Sequence, residues 1–552
     1  MTAMKQDGMK VIVIGGVAGG MSAATRLRRL DERAEIVVLE RGAHVSYANC
    51  GLPYYLGGTI EQRDALLLQT PESLAARFRI DVRVHNEAVA IDRDARTVRV
   101  RDLATGREYT ESYDRIVLSP GARPFVPDLP GVERAHTLRD VSDADRIAEA
   151  LAQDVRSAVV VGGGFIGVEA AENLRERGLD VTLVELADQV LTPLDPEMAA
   201  PVADRLRAHG VRVELGAQAA KVLPSTVELA DGRTLPAHLV LLSIGVRPET
   251  SLAVAAGLEL GPRGGIAVDE AQRTSDPDIF AVGDAAEKRD ALTGDPVLVP
   301  LANLANRHGR LVADALTGRP VRARAATSTA IVRVFDLTAA ATGWNEKRLR
   351  AAGRPYQALH LHPGSHAGYY PGASPIALKV LFDPRDERIL GAQAVGADGV
   401  DKRIDVIATA MAGGLTVSEL ADLELAYAPP YGSAKDPVNM AGLIAENLAD
   451  GTARTVQWHE LDGAEGAIID VRSPAEHAAG SIPGAVNIPL DELRDRAAEL
   501  PEGRLIVHCQ VGLRGHNAQR LLTALGREVV NLDGGYATWA AGRSATATAP
   551  AA

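Results

Sequence analysis

The chain has 552 residues, 46% of them hydrophobic, with 53 glycines and a formal net charge of −13. That balance suits three or four α/β domains with many strand-to-helix turns and excludes a general polyanion-binding surface, so no nucleic-acid partner is expected. Two cysteines exclude a disulfide-stapled scaffold, and with no apolar leader core in MTAMKQDGMK and no apolar run near ~20 residues, a cytoplasmic enzyme without a membrane span is expected.

In chain order, Lys10–Ile14 reads as a buried parallel strand. The loop Gly15-Gly16-Val17-Ala18-Gly19-Gly20, a helix over 21–30 and a second strand, Glu35–Leu39, ending at Glu40, follow it. This is the pattern of a dinucleotide cradle: glycines let pyrophosphate approach a helix N-terminus, and an acid about 20 residues on takes a ribose hydroxyl. Val17 stands where the middle glycine of GxGxxG is usual. Arg26 and Arg29, three positions apart, share a face of the first helix; most such faces are simply solvated.

Next comes Ser46-Tyr47-Ala48-Asn49-Cys50-Gly51-Leu52-Pro53-Tyr54, with the first of the two cysteines. A thiolate placed beside a flavin could attack a disulfide or persulfide and be regenerated by the flavin's electrons. No second cysteine precedes Cys509, so a redox disulfide here must borrow its other sulfur from a bound small thiol. A buried structural cysteine is the alternative.

A second, cleaner cradle follows. Residues 158–161 form a strand, Gly162-Gly163-Gly164-Phe165-Ile166-Gly167 matches GxGxxG, 168–177 form a helix, and Asp180–Val184 leads to Glu185. Residues 119–124 (SPGARP), after the strand Arg115–Leu118, are echoed by 243–248 (SIGVRP), after Leu239–Leu242. The stretch 274–284 (TSDPDIFAVGD) ends a strand on an acid. Strands at 329–334, 377–382 and 389–394 and helices at 403–412 and 417–420 are expected farther on. Residues 446–454 (ENLADGTAR) read as a linker into a separate small domain. That domain has a strand at 467–470 ending in Asp470-Val471-Arg472, GSIPGAVNIPL at 480–490, a strand at 504–507, the loop Cys509-Gln510-Val511-Gly512-Leu513-Arg514, and NLDGGYATW at 531–539. A cysteine on a loop of consecutive N–H groups is a site for a stabilised thiolate, and Arg514 adds positive charge. The tail 544–552 (SATATAPAA) is low in complexity and expected to be disordered.

Residues 10–445 together resemble the flavoprotein disulfide reductases with two dinucleotide-binding domains. SYANCGLPYY, with AATRLRRLDE upstream and AYAPPYGSAKDPVNMAG downstream, resembles the single-cysteine CoA-disulfide reductases. The C-terminal motif order is similar to a single rhodanese domain with its C-x-x-G-x-R persulfide loop. The resemblance implies an α/β fold of two Rossmann-like domains, an α+β dimerisation domain and a C-terminal α/β rhodanese domain. The implied boundaries are 9–155 and 271–323 for FAD binding, 156–270 for NADH binding, 324–445 for dimerisation, 446–454 for the linker and 455–545 for the rhodanese.

It further implies FAD on Gly15, Val17, Ala18, Gly19, Glu40 and Asp284, and NADH on Gly162, Gly164, Ile166, Gly167, Glu185 and Gly245. Coenzyme A would meet Arg26, Arg29, Ser46, Asn49, Asn306 and Arg307. Catalysis would fall to Cys50, to Tyr369 and Tyr427 reaching across a homodimer, and to Cys509 and Arg514, with no metal. NADH is expected over NADPH, because Glu185 suits a ribose 2′-OH and repels a 2′-phosphate.

The implied reaction is NADH-driven reduction of CoA persulfide, polysulfide and CoA disulfide through a Cys50–S–S–CoA mixed disulfide. The rhodanese would deliver sulfane sulfur, and hydrosulfide would leave. CoA-disulfide reduction for thiol homeostasis uses the same residues. An NADH oxidase or peroxidase is opposed by Arg26 and Arg29, and by Ala18 where the peroxidases carry histidine. A sulfur carrier or redox sensor is opposed by the intact NADH motif.

Overall fold

The computed structural model describes residues 8–547 and forms two compact units. The first takes the described residues through Gly162, with 173–181 and 219–328; the second takes 163–172, 182–218 and the described residues from Thr329 onward.

In the first unit, a parallel sheet runs in the order Ile279–Ala281, Arg115–Leu118, Lys10–Ile14, Glu35–Leu39, Asp81–Arg83. Apart from the edge strand Asp81–Arg83, its strands are apolar runs because both faces are covered. Val11, Val13, Ile36 and Val38 join one core with Met21, Ala24 and Leu27 of the helix Ala18–Leu30 and Val312 of the helix Ala302–Leu316. Ile12, Ile14, Val37 and Leu39, the alternate residues, join another with Ile91, Val98 and Val100. Those last three come from an antiparallel sheet of Asn86–Asp92, Thr97–Asp102 and Glu108–Ser112. The first helix starts at Ala18 rather than at 21. The loop's last glycines lie inside its first turn, where a Cβ on Gly20 would sit 2.0 Å from the Gly15 carbonyl oxygen. The strand expected to end at residue 284 stops at Ala281, and Asp284 sits in a 3₁₀ turn, Gly283–Ala285. The strand Ser157–Val161 pairs in parallel with Leu239–Leu242, which pairs with His136–Thr137.

In the second unit, residues 182–184 pair in parallel with Arg212–Glu214. An antiparallel sheet runs Ala330–Val334, Leu337–Gly343, Ile389–Gly396, Ile376–Phe382, Gln357–Leu361. Ile404 and Ile407 of the helix Val400–Gly413 and Val438, Ala441 and Ala445 of Pro437–Ala449 pack on it. The expected helix at 417–420 is a 3₁₀ segment, Ser418–Asp422; Val417 and Leu420 are both buried in this core, and a three-residue period aligns them. The helix Pro437–Ala449 runs through the first four residues of the expected linker, because Leu448 continues the apolar stripe onto the same core.

Beyond it, a parallel sheet runs Thr455–Val456, Val529–Leu532, Leu505–His508, Ala467–Asp470, Val486–Asn487. The helix Leu513–Ala524 packs on it, with Ala518 and Leu522 in its core. The last helix, Gly535–Ala547, takes in 544–547 of the tail expected to be disordered, and 548–552 lie outside the described residues. Among the described residues, no helix is long and apolar enough to cross a membrane.

Candidate active site

The two glycine loops have the same backbone logic. Gly15 has φ +103° and Gly162 φ +108°, the left-handed region open to glycine. A Cβ on Gly15 would lie 2.0 Å from the Ser119 carbonyl oxygen, and one on Gly162 2.4 Å from that of Ser243. This explains the echo between SPGARP and SIGVRP: each repeat places a serine carbonyl against the first glycine of its loop. At the strand ends, Glu40 accepts the Gly16 and Gly42 N–H groups at 2.8 and 2.7 Å. Glu185 accepts those of Gly163 and Ala187 at 2.5 and 2.7 Å.

Val17 caps the first helix, and it and Ala18 are half-buried while Gly19 is buried. In the second loop Gly164 faces open space, Ile166 is 43% exposed and Gly167 is buried. Gly245 has φ +99° with open space beyond it, and the neighbouring Ser243 Oγ is buried with no hydrogen-bond partner among the described residues. Burial pushes the Asp284 carboxyl up against the pull of Lys288 and Arg139. Lys288 donates to the carbonyls of Gly283 and Ala286, and burial pushes its ammonium down to about 8. The left-handed Gly15 and Gly162, the open space at Gly164 and Gly245, the strand-end carboxylates and the unpartnered Ser243 hydroxyl fit a dinucleotide cofactor on each cradle.

Cys50 lies in the 3₁₀ turn Asn49–Gly51, ahead of the short helix Leu52–Gly57. It is exposed, which removes the reading of a buried structural cysteine. Its Sγ is 3.8 Å from Asn49 Oδ1. The loop hangs from the first cradle: the Ser46 N–H donates to the Gly16 carbonyl at 2.8 Å, and the Ala48 N–H to that of Leu66 at 2.8 Å. Ser46 has φ +47°, a conformation costing a non-glycine residue about 1–2 kcal/mol, and its carbonyl accepts the Leu68 N–H at 3.1 Å.

Of the candidate CoA residues, Asn306 is tied to the first helix through Ser22 Oγ at 2.6 Å, and Asn49, Arg29, Asn306 and Arg307 are exposed. Arg26 differs: its guanidinium donates to Asp314 Oδ1 at 2.8 Å. Arg28 is structural, with its guanidinium donating to the carbonyls of Phe78, Asp31, Glu32 and Arg79.

In the second unit, the hydroxyls of Tyr369 and Tyr427 meet at 2.9 Å. They are 77% and 48% exposed, and the bond from Tyr427 raises the Tyr369 phenol. The sequence brackets these tyrosines singly; the fold makes them a pair.

Cys509 follows the strand Leu505–His508 and is fully buried. The Gly512 N–H points to its Sγ at 3.2 Å. Arg514 grips Glu476 through two bonds of 2.9 and 2.5 Å, and that guanidinium holds the Glu476 carboxyl at about 2. Glu476 also closes a capping box with Ser473. Asp470 is buried; burial raises its carboxyl, and bonds from Arg472 and His477 more than reverse this.

Sequence reasoning missed a buried ionic cluster. Lys379, inside the apolar strand Ile376–Phe382, is fully buried. Its ammonium meets Asp195 and Glu346 at 2.9 Å each, and Glu197. The three carboxylates converge closely enough to hold a cation, and Lys379 provides it. A lysine amid IALKVLF was the available signal, because a buried ammonium needs partners.

Residues 9–315 match the family model of the pyridine nucleotide-disulphide oxidoreductases, 329–437 that family's dimerisation domain, and 455–542 the rhodanese-like domain. The chain is 35% identical to the coenzyme A disulfide reductase of Staphylococcus aureus over 443 residues, covering 79% of this chain and all of that one. It is similar to the crystal structure of reduced Bacillus anthracis CoADR-RHD, with 49% identity, a TM-score of 0.95 and coverage of 97% and 98%. It also resembles the NAD-dependent persulfide reductase from A. fulgidus, with 38% identity, a TM-score of 0.92 and coverage of 96% and 100%. On these grounds the chain belongs to the pyridine nucleotide-disulphide oxidoreductase family, whose enzymes use FAD and NAD(H), and carries a dimerisation domain and a rhodanese-like domain beyond the reductase core.

Proposed function

We propose that this protein uses NADH to reduce coenzyme A persulfide, polysulfide and coenzyme A disulfide through Cys50, with Cys509 of the rhodanese-like domain supplying sulfane sulfur. The observation that carries the reading is an exposed thiol on a loop hydrogen-bonded to the first glycine cradle through Ser46 and Gly16. The names of the relatives support the substrate class. Domain boundaries of 9–155 and 271–323, 156–270, 324–445 and 455–545, and a homodimeric working unit, belong to the same proposal.

In this scheme the Cys50 thiolate attacks the CoA-side sulfur of CoA–S–SH. The S–S bond breaks, hydrosulfide leaves with the electron pair, and Cys50–S–S–CoA forms. With CoA disulfide, the leaving group is one CoA thiolate and the mixed disulfide is the same. Bound FAD and NADH supply the two electrons that return Cys50 to its thiolate and release CoA. Upstream, the Cys509 thiolate takes the outer sulfur of a donor, releasing the donor's anion. A CoA thiolate then takes that sulfur and frees Cys509. Arg29 and Arg307 are suited to CoA phosphates as exposed cations, and Arg26 once its pairing with Asp314 is shared. NADH turnover compared on CoA persulfide, CoA disulfide and oxygen tests the reading; oxygen as the fastest acceptor would replace it with an oxidase.

NADH should be preferred over NADPH, since the Glu185 carboxylate at the second strand's end repels a 2′-phosphate. Glu185→Ala is expected to narrow the ratio of the two kcat/KM values. Equal kcat/KM values for NADH and NADPH in the parent protein would refute the assignment.

Tyr369→Phe and Tyr427→Phe are each expected to lower kcat on CoA substrates by about tenfold to 10²-fold, as when a positioned donor to a developing anion is lost. Stopped-flow reduction of the flavin by NADH should be unchanged. Because the hydroxyls are paired, the double variant should cost little more than either single one. If the tyrosines act across a dimer, mixing Cys50→Ser protein with the double-tyrosine variant under subunit exchange should restore some activity.

A further inference from the structure

The buried cluster around Lys379 extends to the Cys509 loop through one histidine. His360, on the strand Gln357–Leu361, is 4% exposed. Its Nδ1 lies 2.7 Å from Asp533 Oδ2, its backbone N–H donates to Asp533 Oδ1 at 3.1 Å, and its Nε2 lies 3.2 Å from Glu197 Oε1. Both ring nitrogens face carboxylates, so the ring holds both protons. Glu197 in turn holds the Lys379 ammonium. Asp533 takes a further bond at 3.0 Å from Gln457 Nε2, which also donates to the Ala358 carbonyl at 3.1 Å.

Asp533 opens the turn on which the Cys509 loop rests. Gly534 and Gly535 take left-handed φ of +66° and +63°. The Tyr536 N–H donates to the Cys509 carbonyl at 2.8 Å and the Ala537 N–H to that of Gln510 at 2.9 Å. A Cβ on Gly535 would stand 2.6 Å from the Cys509 carbonyl oxygen and 2.8 Å from the Gly512 nitrogen, the same amide that faces the sulfur. A buried ion pair adds little stability over an apolar packing of equal volume, but it fixes direction. Here the direction fixed is that of Asp533.

We propose that His360, a residue of the dimerisation region, is a positioning residue for the rhodanese-like domain: through Asp533 it sets the turn that holds the Cys509 loop in register for sulfur transfer. The inference rests on the reading of Cys509 as the sulfur-accepting thiol. A pH dependence follows. Burial opposes the charge on His360, but Asp533 and Glu197 overcome it and push the ring up to about 9. The other titratable groups around it are Lys379, with Asp195 and Glu346 behind it, and His362, which bonds Thr538 Oγ1 at 2.8 Å and is pushed down by burial to about 4. Since the folded value lies above the ordinary 6.5, the pairing is complete below that pH and is lost as pH rises through about 9.

The test uses the full-length holoprotein, thiosulfate as sulfur donor and cyanide as acceptor, with NADH-driven CoA-disulfide turnover measured in parallel. His360→Ala is expected to lower sulfur transfer about tenfold or more, as small misplacements of reacting groups do, and to leave CoA-disulfide turnover unchanged. His360→Asn, whose amide can donate to Asp533, should recover most of the loss and flatten the fall in transfer between roughly pH 8 and 10. Transfer unaltered in His360→Ala overturns the proposal. If His360→Ala loses both activities, Asp533→Asn decides: loss of transfer alone supports the proposal, and equal loss of both overturns it. Wild-type protein that transfers no sulfur overturns the Cys509 reading and this inference with it. Transfer abolished by Cys509→Ser but untouched by His360→Ala overturns this inference alone.

Discussion

Cys50→Ser is expected to lower NADH-driven reduction of CoA disulfide and CoA persulfide by about 10³-fold or more, as loss of a catalytic nucleophile does. The proposed route passes through a covalent Cys50–S–S–CoA bond. Serine cannot form that bond, and its hydroxyl is far less ionised than a thiol at neutral pH. The chain offers no second exposed thiol, since the other of its two cysteines, Cys509, is buried. The fold should survive. Cys50 is exposed in a 3₁₀ turn whose anchors are the buried Leu52 and Leu56 and the backbone bonds of Ala48 and Gly51. Flavin content and NADH reduction of the flavin should therefore match the parent protein. CoA-disulfide turnover above a few per cent of the parent value, with FAD bound, would show that the reductase does not work through this thiol.

Cys509→Ser is expected to abolish sulfur transfer from thiosulfate or polysulfide, a loss of about 10³-fold, while free CoA disulfide is still reduced at the parent rate. A persulfide needs a sulfur on the protein, and the Gly512 N–H is aimed at Cys509 Sγ at 3.2 Å, holding the sulfur that starts the transfer. Arg514, engaged with Glu476, is also bonded to Cys509, so the serine variant would leave this guanidinium and the backbone amide facing a hydroxyl. The measurement is cyanide-dependent thiocyanate formation beside NADH oxidation on CoA disulfide. An unchanged rate in both assays would make the rhodanese-like domain a passenger and leave CoA-disulfide reduction as the whole activity.

Much of this was legible along the chain. The apolar runs KVIVI and SAVVV, each followed by glycines, a helix and a strand ending in glutamate, are local patterns. The structure places Glu40 and Glu185 in the same two-bond arrangement. Local patterns misled where burial, rather than propensity, set an element's length. The apolar stripe of Pro437–Ala449 carried helix into a segment whose Asp, Gly and Thr suggested a linker. The last helix also took up 544–547 of an alanine- and threonine-rich tail, there with Ser544 and Thr546 exposed.

The sequence by itself determined the two cradles, the lone cysteine before residue 509, the C-x-x-G-x-R loop and their order, because each is a short run of residues with a fixed spacing. Only the tertiary structure decided which polar and charged groups meet. Arg26 reaches Asp314 across 288 positions, His360 reaches Asp533 across 173, and Tyr369 finds Tyr427 across 58. Such partners are set by which strands and helices pack together, and that depends on burying apolar surface. A buried charge must then be answered by whatever group the packing brings within reach, and no spacing along the chain encodes it.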